Sequence, residues 1–168
     1  KNKSVCVVVP AYNEQTQITR VMESMPAFVD HVVVVDDASS DATADTILRQ
    51  SILDPRIVLI RHDRNQGCGG ALISGYRWAI DHNIDITVRM DGDGQMNPAD
   101  MPTLLDPVAD GRADYAKGNR FFSGNAYNQM PPLRFYGIAF LSLLTKIVSG
   151  YWHVSDFQSG YTAIGSGT

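Results

Sequence analysis

The run Val5-Cys6-Val7-Val8-Val9, followed by Pro10-Ala11-Tyr12-Asn13-Glu14, decides how the rest of the chain is read. A strand that is apolar at every position, rather than at every second one, is buried on both faces, as in a parallel sheet covered by helices. Residues 32–35, 57–60 and 86–90 repeat that near-continuous apolar pattern. Between the first two runs, Ile18, Val21, Met22 and Met25 fall at i, i+3, i+4 and i+7, one stripe of a helix. Ala44, Ile47 and Leu48 give a similar stripe before the third run, and Leu72, Tyr76, Ala79 and Ile80 another before the fourth. Beyond it, Asn97 and Pro98 suit an N-cap and a first helical position, and Met101, Leu104, Leu105 and Val108 form a further stripe. Alternating strands and helices predict an α/β protein, an αβα sandwich with a mainly parallel central sheet. Ligands of such sheets sit outside the carboxyl ends of the strands, so the residues after each run are where chemistry is expected.

The chain has 168 residues, enough for a single domain over residues 1–168. Its net charge of −4 argues against broad electrostatic binding to nucleic acid, so an anionic ligand must be held by local basic residues or by a metal. Two isolated cysteines, Cys6 and Cys68, make no disulfide framework and point to a reducing compartment. No run reaches the ~18 apolar residues that span a bilayer. The chain begins without Met and ends in Ile164-Gly165-Ser166-Gly167-Thr168 after an extended-looking stretch, which reads as a C-terminal cut in a longer protein.

After the first strand, Tyr12 offers an aromatic face to a base, and Glu14 accepts from base or ribose donors. The same residues also suit a strand-to-helix turn with Asn13 as its N-cap. After the second, Asp36 and Asp37 suit ribose hydroxyls or a base imide, while Ser40 or Asp41 can cap the next helix. A dinucleotide-binding fold also carries an acid here, but its Gly-x-Gly-x-x-Gly turn after strand one is replaced by Pro10-Ala11-Tyr12-Asn13-Glu14. After the third, Asn65-Gln66-Gly67-Cys68-Gly69-Gly70 opens a helix, where Gly67 permits either close approach of an anion or a plain tight turn.

The fourth run ends in Asp91-Gly92-Asp93-Gly94-Gln95. In extended backbone Asp91, Asp93 and Gln95 share a side. Oxygen donors suit Mg²⁺ or Mn²⁺ rather than zinc, which prefers nitrogen and sulfur. An EF-hand Ca²⁺ loop places Gly sixth and Glu twelfth, where Met96 and Pro102 stand here.

Taken together, Val7–Glu14, Val35–Thr43, Asn65-x-Gly67-x-Gly69-Gly70-Ala71 and Asp91-x-Asp93-x-Gln95 resemble family 2 glycosyltransferases of the GT-A fold. The resemblance implies an inverting transferase in which Pro10, Tyr12, Glu14 and Asp37 hold the nucleoside of a UDP- or GDP-sugar. It also implies that Asp91, Asp93 and Gln95 hold the metal bridging the diphosphate. Gln95, Gly118-Asn119-Arg120-Phe121 and Asp156-x-Gln158-Ser159-Gly160-Tyr161 are most similar to the polyprenol-phosphate, dolichol-phosphate mannose synthase-like branch. There, the counterparts of Arg120 and Arg134 lie near phosphate groups. Cys68 departs from the pattern, which more usually has a small or basic residue.

The acceptor decides whether a base is needed. A sugar hydroxyl of a glycan must lose a proton, and Asp156 is the candidate base. A polyprenyl phosphate is largely ionised at neutral pH and needs only cationic positioning, for which Arg120 and Arg134 are suited. Within 135–149, Ser142, Thr145, Lys146 and Ser149 form one narrow polar stripe on an apolar helix. Segment 134–149 therefore fits a membrane interface, at the cytoplasmic face, or packing against further protein. A non-catalytic nucleotide-sugar binding module is a further alternative. A nucleotidyltransferase would show a Gly-rich basic loop after strand one, where none stands.

Overall fold

The computed structural model describes residues 3–118 and 160–167, with Gly137, Leu141, Thr145, Ile147 and Val148 in addition. The chain divides into two compact units, Lys1–Ala116 with Tyr161–Thr168, and Lys117–Gly160. In the first, β1 (Val5–Ala11), β2 (His31–Asp36), β3 (Ile57–Arg61) and β4 (Ile86–Arg89) alternate with α1 (Ile18–Glu23), α2 (Thr43–Leu53) and α3 (Gly67–Asp81). Then come a turn of 3-10 helix, Pro98–Asp100, and α4 (Met101–Ala109), followed by β5 (Tyr115–Lys117) and β6 (Thr162–Gly165).

The sheet has six strands in the order β3-β2-β1-β4-β6-β5. β1 lies between β2 and β4, parallel to both, and β6 runs antiparallel to β4. The mainly parallel α/β sheet expected from the sequence is therefore present. Every residue from Val5 to Val9 and from Val32 to Val35 is buried, but alternate side chains enter different cores. Val5, Val7, Val9, Val32 and Val34 join Ile18, Val21, Met22, Ile47, Met101 and Leu104 on one face. Cys6, Val8, Val33 and Val35 meet Ala71 and Ala79 of α3 on the other. Two-sided burial explains why the runs are apolar throughout.

Several local expectations need correction. α1 ends at Glu23 although Met25 of its stripe is buried. Met25 precedes Pro26, whose ring disfavours helical backbone at the residue before it. Asn13 does not cap α1: its φ of 57° is left-handed, and α1 begins only after Gln17. Ser40 makes no cap for α2, whereas the Asp41 carboxylate accepts from the Thr43 amide at 2.9 Å. Leu48 and Ile80 lie on exposed helix faces rather than in the core. The Asn97 cap and Pro98 start hold, with Asn97 Oδ1 accepting from the Ala99 amide at 3.1 Å. The α4 stripe of Met101, Leu104, Leu105 and Val108 is buried throughout.

In the unit Lys117–Gly160, Gly137, Leu141, Thr145, Ile147 and Val148 are helical, in line with the helix expected over 135–149. Asn119, Arg120, Phe121, Arg134, Asp156, Gln158, Ser159 and the polar stripe apart from Thr145 lie outside the described residues. Among the described residues, no helix is long and apolar enough to cross a membrane.

Candidate active site

From β1 the chain steps outward one way to β2 and β3, and the other way to β4, so the strand order reverses between β1 and β4. Such a reversal leaves a crevice at the carboxyl edge, because the flanking helices depart to either side. A cleft of about 240 Å³ opens there. Pro10, Tyr12 and Glu14 line it from β1 and its loop, Asp37 from the end of β2, Cys68 from α3, and Arg89, Asp91 and Asp93 from the end of β4.

The loops after β1 and β2 are laced together. The amides of Asn13 and Glu14 donate to Ser39 Oγ and Thr43 Oγ1, each at 2.9 Å. In return, Asn13 Oδ1 accepts from the Ser40 amide at 2.9 Å. The left-handed backbone at Asn13 turns its amide and side chain towards the second loop, a conformation asparagine tolerates well. This lacing fixes Glu14 and leaves Tyr12 half exposed at the rim.

The adjacent acids Asp36 and Asp37 are both buried and have different partners. Asp36 Oδ1 accepts from the Ser39 amide at 3.3 Å. Among the described residues its Oδ2 has no hydrogen-bond donor, only the Arg61 guanidinium at 3.5 Å. Asp37 Oδ1 accepts from His62 Nδ1 at 2.7 Å and from the Gln66 amide at 2.9 Å. Burial alone would push the Asp37 carboxyl up; the Gln66 amide, the His62 ring and the Gly67 amide outweigh it and hold the group below its ordinary value.

Beyond Arg89 the backbone leaves the extended conformation and turns, with φ of 70° at Gly94. Asp91 and Asp93 therefore reach the cleft through a turn, not through the strand alternation expected from the sequence. A Cβ on Gly92 would sit 3.1 Å from the Pro10 carbonyl oxygen, so the turn passes close against the end of β1. Asp91 Oδ1 accepts from Arg89 at 3.2 Å (Nε) and 3.0 Å (Nη2), and Arg89 Nη2 also lies 3.7 Å from Cys68 Sγ. Asp93 Oδ1 accepts from the Gln95 amide at 3.0 Å.

Across the cleft the Glu14 carboxyl is raised, first by burial and then by the negative charges of Asp93 and Asp41. Negative charge gathered beside Glu14 is what a hard divalent cation would relieve, and oxygen donors suit Mg²⁺ or Mn²⁺. Among the described residues, no group of three or more His, Cys, Asp or Glu side chains is gathered closely enough to hold a metal without another donor type. A ligand set here must draw on Gln95, on water or on the bound phosphates.

Of the residues expected from sequence, Pro10, Tyr12, Glu14, Asp37, Asp91 and Asp93 share this one cleft. Gly67 starts α3 with φ of 76° and, like Gln95, stands outside the cleft lining. Arg89, His62 and Ser74 were not anticipated. Strand register brings the pair together: β2 and β3 pair Asp36 with Arg61, so the following residues, Asp37 and His62, also face one another.

A family model matches residues 6–165, and its description is Glycosyl transferase family 2. The chain belongs to glycosyl transferase family 2. It is 30% identical to UDP-N-acetylglucosamine–dolichyl-phosphate N-acetylglucosaminyltransferase of Methanococcus voltae, over 96% of this chain and 69% of that one. It is 32% identical to undecaprenyl-phosphate mannosyltransferase of Micrococcus luteus, over 95% of this chain and 65% of that one. The chain thus spans roughly two thirds of the length of these relatives. In fold, it resembles glucosyl-3-phosphoglycerate synthase from Mycobacterium tuberculosis, solved with Mn²⁺, UDP and glucosyl-3-phosphoglycerate. That likeness has a TM-score of 0.71 at 22% identity and covers 97% of this chain and 57% of that one.

Proposed function

We propose that this family 2 protein is an inverting glycosyltransferase that moves a sugar from a nucleoside diphosphate to a polyprenyl phosphate at the cytoplasmic face of a membrane. The observation that carries the reading is the convergence of Tyr12, Glu14, Asp37, Asp91 and Asp93 on one cleft at the sheet's switch point. The relatives named for dolichyl phosphate and undecaprenyl phosphate support this acceptor class.

In this reading Tyr12 stacks on the base, Asp37 accepts from it, and Glu14 takes ribose hydroxyls, with Pro10 and Gly67 shaping the pocket. Asp91 and Asp93, completed by Gln95, would hold Mg²⁺ or Mn²⁺, and such an ion supplies Lewis-acid stabilisation of the charge that develops on the diphosphate leaving group. Asp91 Oδ1 is shared with Arg89 and Asp93 Oδ1 with the Gln95 amide, so each acid has its second oxygen for the ion. Arg120 and Arg134 position the acceptor phosphate, whose oxygen is ionised at neutral pH and attacks without a base. Segment 134–149 rests at the lipid interface.

Binding of UDP- and GDP-sugars with Mn²⁺, before and after chelation, tests the donor half. Chelation should abolish binding of the diphosphate, and Asp93→Ala should lower turnover by about a thousandfold, roughly 4 kcal/mol of transition-state stabilisation, with the circular dichroism spectrum unchanged. No affinity for any sugar nucleotide would overturn the proposal. The acceptor half is tested by Asp156→Asn. Transfer to polyprenyl phosphate should fall less than tenfold, whereas a reaction on a sugar hydroxyl with Asp156 as base should drop by about a hundredfold or more.

A further inference from the structure

Behind Asp37 lie two polar side chains that the function above does not use, the buried His62 and the half-buried Ser74. His62 follows β3, and its amide extends the ladder by donating to the Asp36 carbonyl at 2.9 Å. That bond places the imidazole beside Asp37, with Nδ1 at 2.7 Å from Oδ1. The other ring nitrogen, Nε2, is 2.8 Å from Ser74 Oγ on α3.

The roles of these atoms follow from chemistry. The Asp37 carboxylate is an acceptor only, so Nδ1 must carry the proton it shares, and in the neutral ring Nε2 then accepts from the Ser74 hydroxyl. Ser74 thereby anchors the imidazole from the helix side while the β3 backbone anchors it from the sheet. His62 and the Gln66 amide both donate to Oδ1, one to each of its lone pairs. The Gly67 amide also favours the charged carboxylate while donating to Asn65 Oδ1 at 3.0 Å; with Oδ1 holding its two donors, Oδ2 is the oxygen left for a ligand in the cleft that Asp37 lines.

A single accepting oxygen does not fit every base equally. Guanine presents N1–H and N2–H side by side, a pair matched by both oxygens of a carboxylate. Uracil presents one imide N–H between two carbonyls and asks for one acceptor. We infer that His62 is a positioning residue that confines Asp37 to one base-facing oxygen, and that this selects a uridine-diphosphate donor over a guanosine one. The inference rests on the donor cleft proposed above.

Two amide substitutions separate positioning from bulk. In His62→Asn the side-chain nitrogen falls near the place of Nδ1 and still reaches Asp37. In His62→Gln it falls near Nε2, reaching Ser74 but not Asp37. Calorimetric titration of the full-length protein with UDP, GDP and inorganic pyrophosphate, each with Mn²⁺, reads the result without turnover. The native protein should bind UDP at least about tenfold more tightly than GDP. His62→Asn should stay within about threefold of it for UDP, while His62→Gln should lose about tenfold or more, with pyrophosphate affinity unchanged in both. Equal losses in the two variants, no loss in either, or a preference of the native protein for GDP would each overturn the inference. A native protein that binds neither nucleotide would instead overturn the donor cleft itself, and this inference with it.

Discussion

Ala38 sits in the loop after the buried acids with φ of 59°, in the left-handed region where a Cβ is strained. That conformation turns the backbone just past Asp37, so that Ser39 can accept from the Asn13 amide while the carboxylate stays at the cleft. Left-handed backbone costs a residue with a Cβ about 1–2 kcal/mol, part of which glycine would return through its larger unfolded-state entropy. Ala38→Gly should therefore stabilise the protein by about 0.5–1 kcal/mol, read from the urea midpoint at unchanged slope. A loss of stability would mean that the methyl group makes contacts that outweigh the strain. At this scale the sequence marked the acids but not their partners. Asp36 and Asp37 stood out as neighbours in the chain, whereas Arg61 and His62 lie 25 positions further on and look like ordinary strand-end residues.

α3 shows what an element-level pattern reveals and what it hides. Of the apolar stripe expected from Leu72, Tyr76, Ala79 and Ile80, the first three pack on the core and Ile80 does not, while the fully buried centre of the face is Ala71, Gly75 and Ala79. Small residues lie there because the helix packs tightly on β1: a Cβ on Gly75 would fall 2.3 Å from Val8 Cγ1. Hydrophobic periodicity weights large side chains and so misses a face defined by the lack of them. Gly75→Ala should cost about 1–3 kcal/mol by overpacking, and Val8→Ala in the same chain should recover part of it in a double-mutant cycle. Strict additivity of the two losses would show that the helix simply shifts away. By contrast α4, whose stripe is built of Met, Leu and Val, was legible in full.

For the molecule as a whole, carboxylates at the site and at the end of α2 shape the response to acid. Asp37, Asp41 and Asp54 are all held below their ordinary values. For Asp37 and Asp41, burial opposes the shift and the hydrogen bonds they accept outweigh it; for Asp54, the Arg56 side chain is the leading cause. Each binds its proton less readily folded than unfolded, so its stabilisation is complete above the unfolded value near 4 and is lost as pH falls through the folded value. Glu14 works in the opposite sense, since its raised value means that the folded state loses stability as pH rises through the Glu14 range. The thermal midpoint should thus fall steadily below about pH 4. Glu14→Gln should remove the opposing contribution and raise stability above about pH 5, measured by calorimetry across the range. A midpoint indifferent to pH between 2 and 5 would contradict the carboxylate shifts.

The sequence by itself determined the alternation of strand and helix, the two-sided burial of β1 and β2, and the places along the chain where polar residues gather. Those features follow from side-chain periodicity, which acts over neighbouring residues. Only the tertiary structure decided that β6 enters antiparallel beside β4, that Arg89 takes Asp91, that α3 closes on β1 at Gly75, and that His62 holds Asp37. These arrangements depend on strand register and helix approach between segments remote in sequence. Many pairings of that kind are compatible with one local pattern, and the packing of the whole sheet chooses among them.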